Sequence, residues 1–184
     1  MLRIHVEQIT EKGLSLNFTQ RAESFPVLLQ MIQSGECEFL GPIRTYVRAV
    51  KIRELVEVEG TFEVQVRFTC GRCLESFTAP VTNEFAMTYT PHVPGMAEQS
   101  QPQEVELKAE DLGLVYFQGE AIDLQEGIQE QVVMSFPIRP LCAEECKGLC
   151  QTCGANLNLG DCGCDRSVID DRFAVLKNLR FEKK

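Results

Sequence analysis

The chain has 184 residues, a mass of 20.7 kDa and a formal net charge of −9, which together indicate one domain or one domain with an appendage. It contains no run of about 18 apolar residues, which argues against a membrane-spanning helix. The first seven residues lack the apolar block of a signal peptide. We therefore expect the nine cysteines to lie in a reducing compartment, where clustered cysteines hold metal more often than they form disulfides.

The acidic charge is concentrated in one part of the sequence. Residues 97–130 contain nine acidic residues and one basic residue, Lys108, and so carry −8 of the net charge. Residues 41–53 and 166–184 are locally basic. The acidic total therefore does not exclude an anionic partner but confines it to part of the surface. The alternative interpretation is two ordinary solvated faces.

The first 90 residues predict an antiparallel β-rich body. Residues 1–7 alternate like a strand, and residues 19–34 predict a short helix that ends at Ser34-Gly35. The clearest strand is 62–68, where apolar and polar residues alternate with a period of two. Glu59-Gly60 predicts a turn before that strand.

Strand patterns also flank residues 59–68. Residues 43–58 predict two adjacent strands or one long bent strand, and residues 77–90 predict a further strand. A meander of antiparallel strands is the simplest arrangement of these elements.

The second half of the sequence predicts a linker and then a smaller set of elements. Residues 91–111 form an expected flexible acidic linker, because three prolines, a glycine and polar residues interrupt the pattern. Residues 112–184 are expected to pack on the body as a strand at 114–117, a helix, a cysteine cluster and a C-terminal helix capped by Asp170. The helix of this part is expected to begin at Asp123, which forms a capping-box pattern with Glu126, and to end before Pro137. Its apolar face carries Leu124, Ile128, Val132 and Phe136.

The predicted fold class is therefore α+β. We expect an antiparallel β-rich body with a few helices and a small C-terminal cysteine-rich segment that resembles a zinc knuckle.

Eight of the nine cysteines occur in pairs, which indicates metal binding. A CxxC pair on a tight turn can place two sulfurs at ~2.3 Å from one zinc ion. The spacing of the last two pairs is compact enough to close one tetrahedral site, whose predicted ligands are Cys150, Cys153, Cys162 and Cys164. Reduced structural thiols or a redox dithiol are the alternatives, but six cysteines between positions 142 and 164 would then be prone to oxidation.

A second site is possible if the fold brings the remaining pairs together, and its ligands would be Cys70, Cys73, Cys142 and Cys146. The alternative is that the pair at 70 and 73 forms a metal-free turn. The unpaired Cys37 lies in a strand-like context and is expected to be a buried or edge thiol.

The sequence offers little for catalysis, so we expect a protein that is not an enzyme. A four-cysteine zinc site has no open coordination position and would not activate water. The two histidines lie at the N-terminus and in the expected linker, and no phosphate loop, nucleophile elbow or zincin signature is present.

Three segments of the sequence resemble the YceD family, the large ribosomal RNA subunit accumulation proteins. They are Cys70-Gly-Arg-Cys73-Leu74-Glu75, residues 146–158 with the order Cys-Lys-Gly-Leu-Cys-Gln-Thr-Cys-Gly-Ala-Asn-Leu-Asn, and the closing segment 170–179. Cys162 and Cys164 fall where longer members carry a last pair. Gln151 and Asp171 stand where the family usually has proline, and neither replaces a thiol.

The resemblance implies a cytoplasmic, non-enzymatic factor that is needed for large-subunit 23S rRNA to accumulate. Its expected partner is 23S rRNA or a large-subunit precursor, with ribosomal proteins as further candidates and with no membrane and no small-molecule substrate. Structural zinc is the expected cofactor. Basic residues suited to phosphate contacts are Arg44, Arg48, Lys51, Arg53, Arg72, Arg172, Lys177 and Arg180. Tyr46 is the nearest aromatic residue that could stack on a base, although a buried role is the expectation.

Two other functions remain open from the sequence. One is a redox-responsive zinc protein, because oxidation of CxxC and CxC pairs ejects metal. The other is a zinc adaptor that binds only proteins through its acidic segment.

Overall fold

The computed structural model describes residues 2–91 and 113–165. Their fold is mixed α+β, as predicted, and is dominated by a mostly antiparallel sheet with two α-helices. The strands are β1 (Arg3–His5), β2 (Leu14–Gln20), β3 (Cys37–Phe39), β4 (Ile43–Ile52), β5 (Leu55–Thr69), β6 (Ser76–Thr90), β7 (Leu114–Tyr116) and β8 (Ala121–Asp123), and the helices are α1 (Pro26–Ser34) and α2 (Gln125–Met134).

The main sheet has six strands in the order β2-β4-β5-β6-β7, with β3 also paired to β5. The meander predicted for β4, β5 and β6 is confirmed, because each pairs antiparallel with the next. The strand predicted at 114–117 is also present as β7, but it pairs parallel to β6. The strand β2 was not anticipated, although Leu14, Leu16 and Phe18 alternate with polar residues.

The turn predicted at Glu59-Gly60 is wrong, because both residues lie inside β5. The reversal occurs instead at Arg53-Glu54, between β4 and β5. Gly60 is required for a different reason. A Cβ at this position would lie 2.5 Å from the carbonyl oxygen of Tyr46 and 2.6 Å from the ring of Phe85. The glycine therefore allows close packing inside the sheet and does not mark a turn.

The helix predicted over 19–34 is shorter than expected. Residues 19 and 20 finish β2, Ala22–Ser24 form a 3-10 turn, and α1 begins at Pro26. Proline suits the first turn of a helix because its missing N–H would have no intrahelical partner there. The helix ends at Gly35, as predicted, and Gly35 adopts the left-handed φ of 76° that a glycine C-cap allows.

The second predicted helix is confirmed with a shifted start. Asp123 ends β8, and α2 begins at Gln125. The predicted N-cap is wrong by one residue: the N-cap is Leu124, without a side-chain capping bond. The carboxylate of Asp123 still accepts a hydrogen bond from the N–H of Gln125 at 3.0 Å. Leu124, Ile128 and Val132 are fully buried, as the periodicity predicted, whereas the helix ends before the partly buried Phe136.

One face of the sheet carries the hydrophobic core. The alternating burial of β4 and β5 places Val47, Val56 and Val58 inside, where they form one cluster with residues of both helices. Gln129 of α2 is the buried polar link between the helices: its Oε1 accepts a hydrogen bond from the N–H of Val27 at 2.8 Å. This bond satisfies an amide of the first turn of α1 that has no intrahelical partner.

The strands β1 and β8 form a second sheet of two strands, separate from the main sheet. The N-terminal strand β1, which was predicted, pairs antiparallel with β8, and Arg3 forms an ion pair with Asp123 at 3.1 Å. Ile4 and Ile122 lie opposite each other in this second sheet, and both are fully buried. Within the described ranges, no helix is both long enough and apolar enough to cross a membrane.

Two sequence predictions lie wholly or largely outside the described residues. They are the linker at 91–111, of which only Pro91 is described, and the C-terminal helix that begins at Asp170. The proposed boundaries between body, linker and C-terminal part therefore stay predictions.

Candidate metal centre

The hairpin loop between the two longest strands carries the first cysteine pair. β5 ends at Thr69 and β6 begins at Ser76, so Cys70 and Cys73 lie on the connection between them. The fold brings Cys142 and Cys146 to the same place, and the four Sγ atoms lie within 4.8 Å of one another. The grouping that the sequence left open as a second site is thus present in the structure, and we call it the inner tetrad.

The sulfur positions of the inner tetrad are those of a ligand set and not of disulfides. The Sγ atoms of Cys70 and Cys146 are 3.7 Å apart, as are those of Cys73 and Cys142. A disulfide would require ~2.0 Å. In a tetrahedral site with zinc–sulfur bonds of ~2.3 Å, neighbouring sulfurs lie ~3.8 Å apart. The four thiols therefore fit one tetrahedral ion.

Backbone and aromatic contacts hold the segment that carries Cys142 and Cys146 against the sheet. Phe136, which follows α2, packs edge-on against Phe68 of β5 with ring centroids 5.2 Å apart. The N–H of Gly71 then donates to the carbonyl oxygen of Pro140 at 2.8 Å. Together these contacts fix the segment that leads into Cys142.

Arg72 ties the two halves of the inner tetrad together. Its Nη1 donates to the carbonyl oxygens of Glu144 at 3.0 Å and Cys146 at 2.9 Å. The sequence had suggested that Arg72 projects from the turn toward a phosphate or a base edge. The structure directs Nη1 to main-chain acceptors of the neighbouring cysteine segment, and contact of Arg72 with RNA stays a prediction.

The second ligand set forms from a short stretch of chain. The Sγ atoms of Cys150, Cys153, Cys162 and Cys164 lie within 4.8 Å of one another, in the grouping that their spacing predicted. We call this group the outer tetrad. Cys150 is buried, Cys162 and Cys164 are partly exposed, and Cys153 is exposed, whereas three of the four inner cysteines are buried.

The two CxxC turns have the same backbone design. In the inner tetrad the N–H of Leu74 donates to the carbonyl of Cys70, and in the outer tetrad the N–H of Gly154 donates to that of Cys150. Both residues after the second cysteine are left-handed, with φ of 61° for Leu74 and 74° for Gly154. Leucine pays a steric cost in this conformation that glycine does not, and the Leu74 side chain is 64% exposed.

Hydrogen bonds to sulfur favour thiolates in both tetrads. Backbone N–H groups, that of Cys142 first and then that of Cys73, lower the pKa of Cys70 to about 6. The backbone amides of Cys153 and Thr152 lower the pKa of Cys150 to about 6 in the same way. Each tetrad therefore contains a thiol that is ionised at neutral pH, which is the form that binds metal.

Other thiols of the protein favour the neutral form. Desolvation of its sulfur, reinforced by the hydrogen bond to Cys146, raises the pKa of Cys142 to about 12, although the residue as a whole is exposed. Hydrogen bonding to Cys153 raises the pKa of Cys164 to about 12. Burial, reinforced by the charge of Glu36, raises the pKa of Cys37 to about 11. Cys37 is 7% exposed at the start of β3, so the prediction of a buried thiol outside the ligand sets is confirmed.

A side chain of the outer loop reaches a sulfur of the inner tetrad. Asn158 Nδ2 lies 3.3 Å from Cys146 Sγ, and this contact is the main reason that the pKa of Cys146 is lowered. Sequence reasoning did not assign a role to this residue. The only feature of the sequence that pointed to Asn158 was its position between the second and third cysteines of the outer tetrad.

The basic residues predicted to contact RNA are spread over several places. Arg44 and Arg48 share the outer face of β4 with Tyr46, which is 43% exposed, so the expectation of a buried tyrosine is wrong. This face is not uniformly positive. Arg44 forms an ion pair with Glu63 at 3.3 Å, and Arg48 lies opposite Glu59 in the strand register.

The other predicted RNA contacts lie elsewhere. Lys51 and Arg53 are exposed at the hairpin between β4 and β5, and Lys51 does not share the face of Arg44 and Arg48. Three further candidates lie outside the described residues, namely Arg172, Lys177 and Arg180.

Fold and site together define a class of protein: a small mixed α+β protein with two four-cysteine clusters that could bind metal ions. Residues 58–180, two thirds of the chain, match the family described as large ribosomal RNA subunit accumulation protein YceD. The chain belongs to this family, as its cysteine and closing-helix motifs suggested.

Individual relatives agree with the family assignment. The chain is 26% identical over 161 residues to the chloroplastic large ribosomal RNA subunit accumulation protein YCED homolog 1 of Arabidopsis thaliana, covering 76% of this chain and 49% of that protein. It is 31% identical over 130 residues to an uncharacterized protein of Mycobacterium tuberculosis strain H37Rv, covering 71% of this chain and 58% of the relative. The chain thus spans about half to three fifths of the length of these relatives. No solved structure is significantly similar to it.

Proposed function

We propose that this protein is a non-enzymatic ribosome biogenesis factor that supports accumulation of large-subunit 23S rRNA. The family match over residues 58–180, which spans both cysteine tetrads, carries this proposal. We propose that the protein acts by binding the rRNA or a large-subunit precursor in the cytoplasm. The free thiols of all nine cysteines are consistent with a reducing compartment.

We propose structural zinc as the occupant of both tetrads. Four thiolates suit zinc, and they leave no coordination position open for a substrate or a reactive water. The ions would therefore shape the surface and would not perform chemistry there. The inner ion would hold the β5–β6 hairpin against residues 142–146, and the outer ion would organise residues 150–164.

The β4–β5 hairpin is the favoured contact with RNA. Lys51 and Arg53 are exposed at its end, and two exposed positive charges close to a turn suit contact with the phosphate backbone. Arg44 and Arg48 line the same strand but face glutamates, so we assign them the smaller share of the binding energy. Exposed ion pairs are weak enough for a phosphate to replace the carboxylate.

Sedimentation with large-subunit precursors at increasing salt tests this proposal. Replacing Lys51 and Arg53 by glutamate should weaken cosedimentation and should reduce the slope of log affinity against log salt by about 0.7 to 0.9 for each lost phosphate contact. Lys12→Glu with Arg21→Glu is the matched control, because both residues are exposed elsewhere. Binding that ignores salt and survives ribonuclease would contradict RNA contact and would support the protein-adaptor alternative.

A second candidate function is a redox response, and the exposure of the outer tetrad favours it. Cys153 is exposed and lies in the same ligand set as the partly exposed Cys162 and Cys164. A peroxide could oxidise two of these thiolates to a disulfide, with the peroxide reduced to water and the ion released. Titration of zinc release with hydrogen peroxide tests this candidate. A protein that keeps both ions under mild oxidant contradicts it.

A further inference from the structure

The segment that separates the two tetrads is very short. Cys146 belongs to the inner tetrad and Cys150 to the outer one. The chain between them forms an isolated antiparallel bridge with the outer loop, through Leu149 and Asn156. The N–H of Leu157 adds a hydrogen bond to the carbonyl of Gly148 at 2.9 Å. The loop between Cys153 and Cys162 therefore pairs with the backbone of residues 148–149, which lie shortly after the inner ligand Cys146.

The side chain of Asn158 contacts both the inner ligand Cys146 and the backbone of the residue that follows it. Its Nδ2 lies 3.3 Å from Cys146 Sγ, and its Oδ1 accepts the N–H of Lys147 at 2.8 Å. Asn156 in turn fixes Asn158, since its Oδ1 accepts both the N–H and the Nδ2–H of Asn158 at 3.0 and 2.9 Å. The amide is therefore held in an orientation that directs an N–H at the sulfur.

The position of this amide depends on the outer tetrad. Asn158 lies five residues after Cys153 and four before Cys162, so both ends of its loop are attached to outer ligands. An ion held there restricts the loop and lowers the entropy cost of presenting the amide to the inner sulfur. Donors to ligand atoms tune metal affinity from outside the ligand set.

We propose that Asn158 is a positioning residue that couples the tetrads, so that an ion in the outer tetrad increases the metal affinity of the inner one. The inference rests on the proposed metal binding. Thermodynamic linkage requires the reverse effect as well: an ion in the inner tetrad increases the affinity of the outer tetrad by the same factor.

Cadmium NMR of the full chain provides the test, because each bound ion gives its own resonance and thiolates bind this soft metal well. The outer resonance is identified by its loss in the variant Cys162→Ser with Cys164→Ser. A competing chelator then reports the affinity of the inner site in each variant. We expect removal of the outer ligands to weaken the inner site by roughly tenfold or more, within the range known for outer-shell changes.

Two substitutions of Asn158 separate its donor from its acceptor. Asn158→Asp keeps an oxygen for the N–H of Lys147 but removes the donor to sulfur, whereas Asn158→Ala removes both. Both should weaken the inner site by about 10- to 100-fold and should move its cadmium resonance. Asn17→Ala, at an exposed position in β2, is the control and should leave the inner site unchanged.

The combined variant tests coupling directly. Asn158→Asp together with loss of the outer ligands should weaken the inner site no more than the stronger single change, because both act through one contact. The proposal is overturned if the two changes lower the affinity of the inner site by the product of their separate factors. It is also overturned if the inner site of Asn158→Asp keeps wild-type affinity, or if loss of the outer ligands leaves the affinity of the inner site unchanged. Two bound ions without coupling would overturn this inference alone, whereas no bound metal would overturn the proposed metal binding with it. If Asn158→Ala fails to fold, Asn158→Asp and the variant without outer ligands, alone and combined, still test the coupling.

Discussion

The inner and outer tetrads share a ligand set and a turn but differ in how they connect the chain. The inner one joins residues as far apart as Cys70 and Cys146, and it is packed against Phe77, Leu141 and Leu149. The outer one joins residues between 150 and 164, and three of its four cysteines are at least partly exposed. A bound ion would therefore cross-link distant parts of the fold in the inner tetrad and would organise only a local segment in the outer one.

This difference predicts unequal consequences for stability. Closing a long loop removes more conformational freedom from the unfolded chain than closing a short one. The inner site also sits at the end of the two longest strands, so its loss frees the hairpin and the segment after α2 together.

The largest expected effect comes from Cys70→Ser. This change should remove the inner ion and lower the free energy of unfolding by about 4 kcal/mol or more, as measured by denaturant titration. Cys37→Ser is the control, because it alters a buried thiol outside both tetrads and should cost about 1 to 3 kcal/mol. Equal losses in the two variants would contradict a metal cross-link at Cys70.

Cys162→Ser should have a large effect on metal content and a small effect on the body. Bound zinc at saturation should fall from two ions per chain to one, in line with the two tetrads. The free energy of unfolding of the sheet should fall by about 1 to 2 kcal/mol at saturating zinc, because a roughly tenfold weaker inner site costs ~1.4 kcal/mol, whereas the outer site itself is peripheral. Elemental analysis and denaturant titration measure these quantities. Retention of both ions would remove Cys162 from the ligand set.

Chelator treatment of the native protein should release the ions in two phases. The outer ion should leave faster by roughly tenfold or more, which corresponds to a barrier difference of ~1.4 kcal/mol, because its ligands are more exposed. A colorimetric zinc indicator follows the release. The fast phase should disappear in Cys162→Ser, and a single phase in the wild type would contradict the contrast in exposure.

Exchanging the residues after the two CxxC turns should have smaller, opposite effects. Leu74→Gly should raise the free energy of unfolding by about 0.5 to 1 kcal/mol, because glycine adopts the left-handed conformation without steric cost but orders at some entropic cost. Gly154→Leu should lower it by about 1 to 2 kcal/mol for the same steric reason. Thermal unfolding measures both, and stabilisation by Gly154→Leu would contradict the shared backbone design.

The effect of Cys37, a reference outside the tetrads, should be visible only at alkaline pH. Burial raises its folded pKa from 9.0 to about 11. The neutral thiol therefore contributes stability that is complete below pH 9 and is lost as the pH rises toward 11. The stability difference between the wild type and Cys37→Ala should narrow over that interval. A difference that widens with pH would contradict this sign.

The parts of the structure that local pattern determines could be predicted from the sequence. The alternation in residues 62–68 identified β5, and the spacing of Cys150, Cys153, Cys162 and Cys164 identified the outer tetrad. Both depend on residues close together in the chain, so periodicity and spacing carry the information.

The parts that depend on distant neighbours were open or wrong. Gly60 looks like a turn until Phe85 is placed beside it by the pairing of β5 with β6. The inner tetrad could be suggested but not assigned, because nothing local relates Cys73 to Cys142. The main-chain contacts of Arg72 could not be predicted, because its carbonyl acceptors, on residues 144 and 146, come from a segment more than seventy positions away.

The pairing of β1 with β8 has a consequence for synthesis of the chain. Residues 3–5 cannot find their partner until residues 121–123 have left the ribosome, whereas β4, β5 and β6 pair with sequence neighbours. The central meander can thus assemble during translation, since local pairing requires little loop closure. Residues 3–5 are therefore translated before the meander but pair after it, and an insertion before β1 that impedes their return would leave Ile122 uncovered beside a nearly complete sheet.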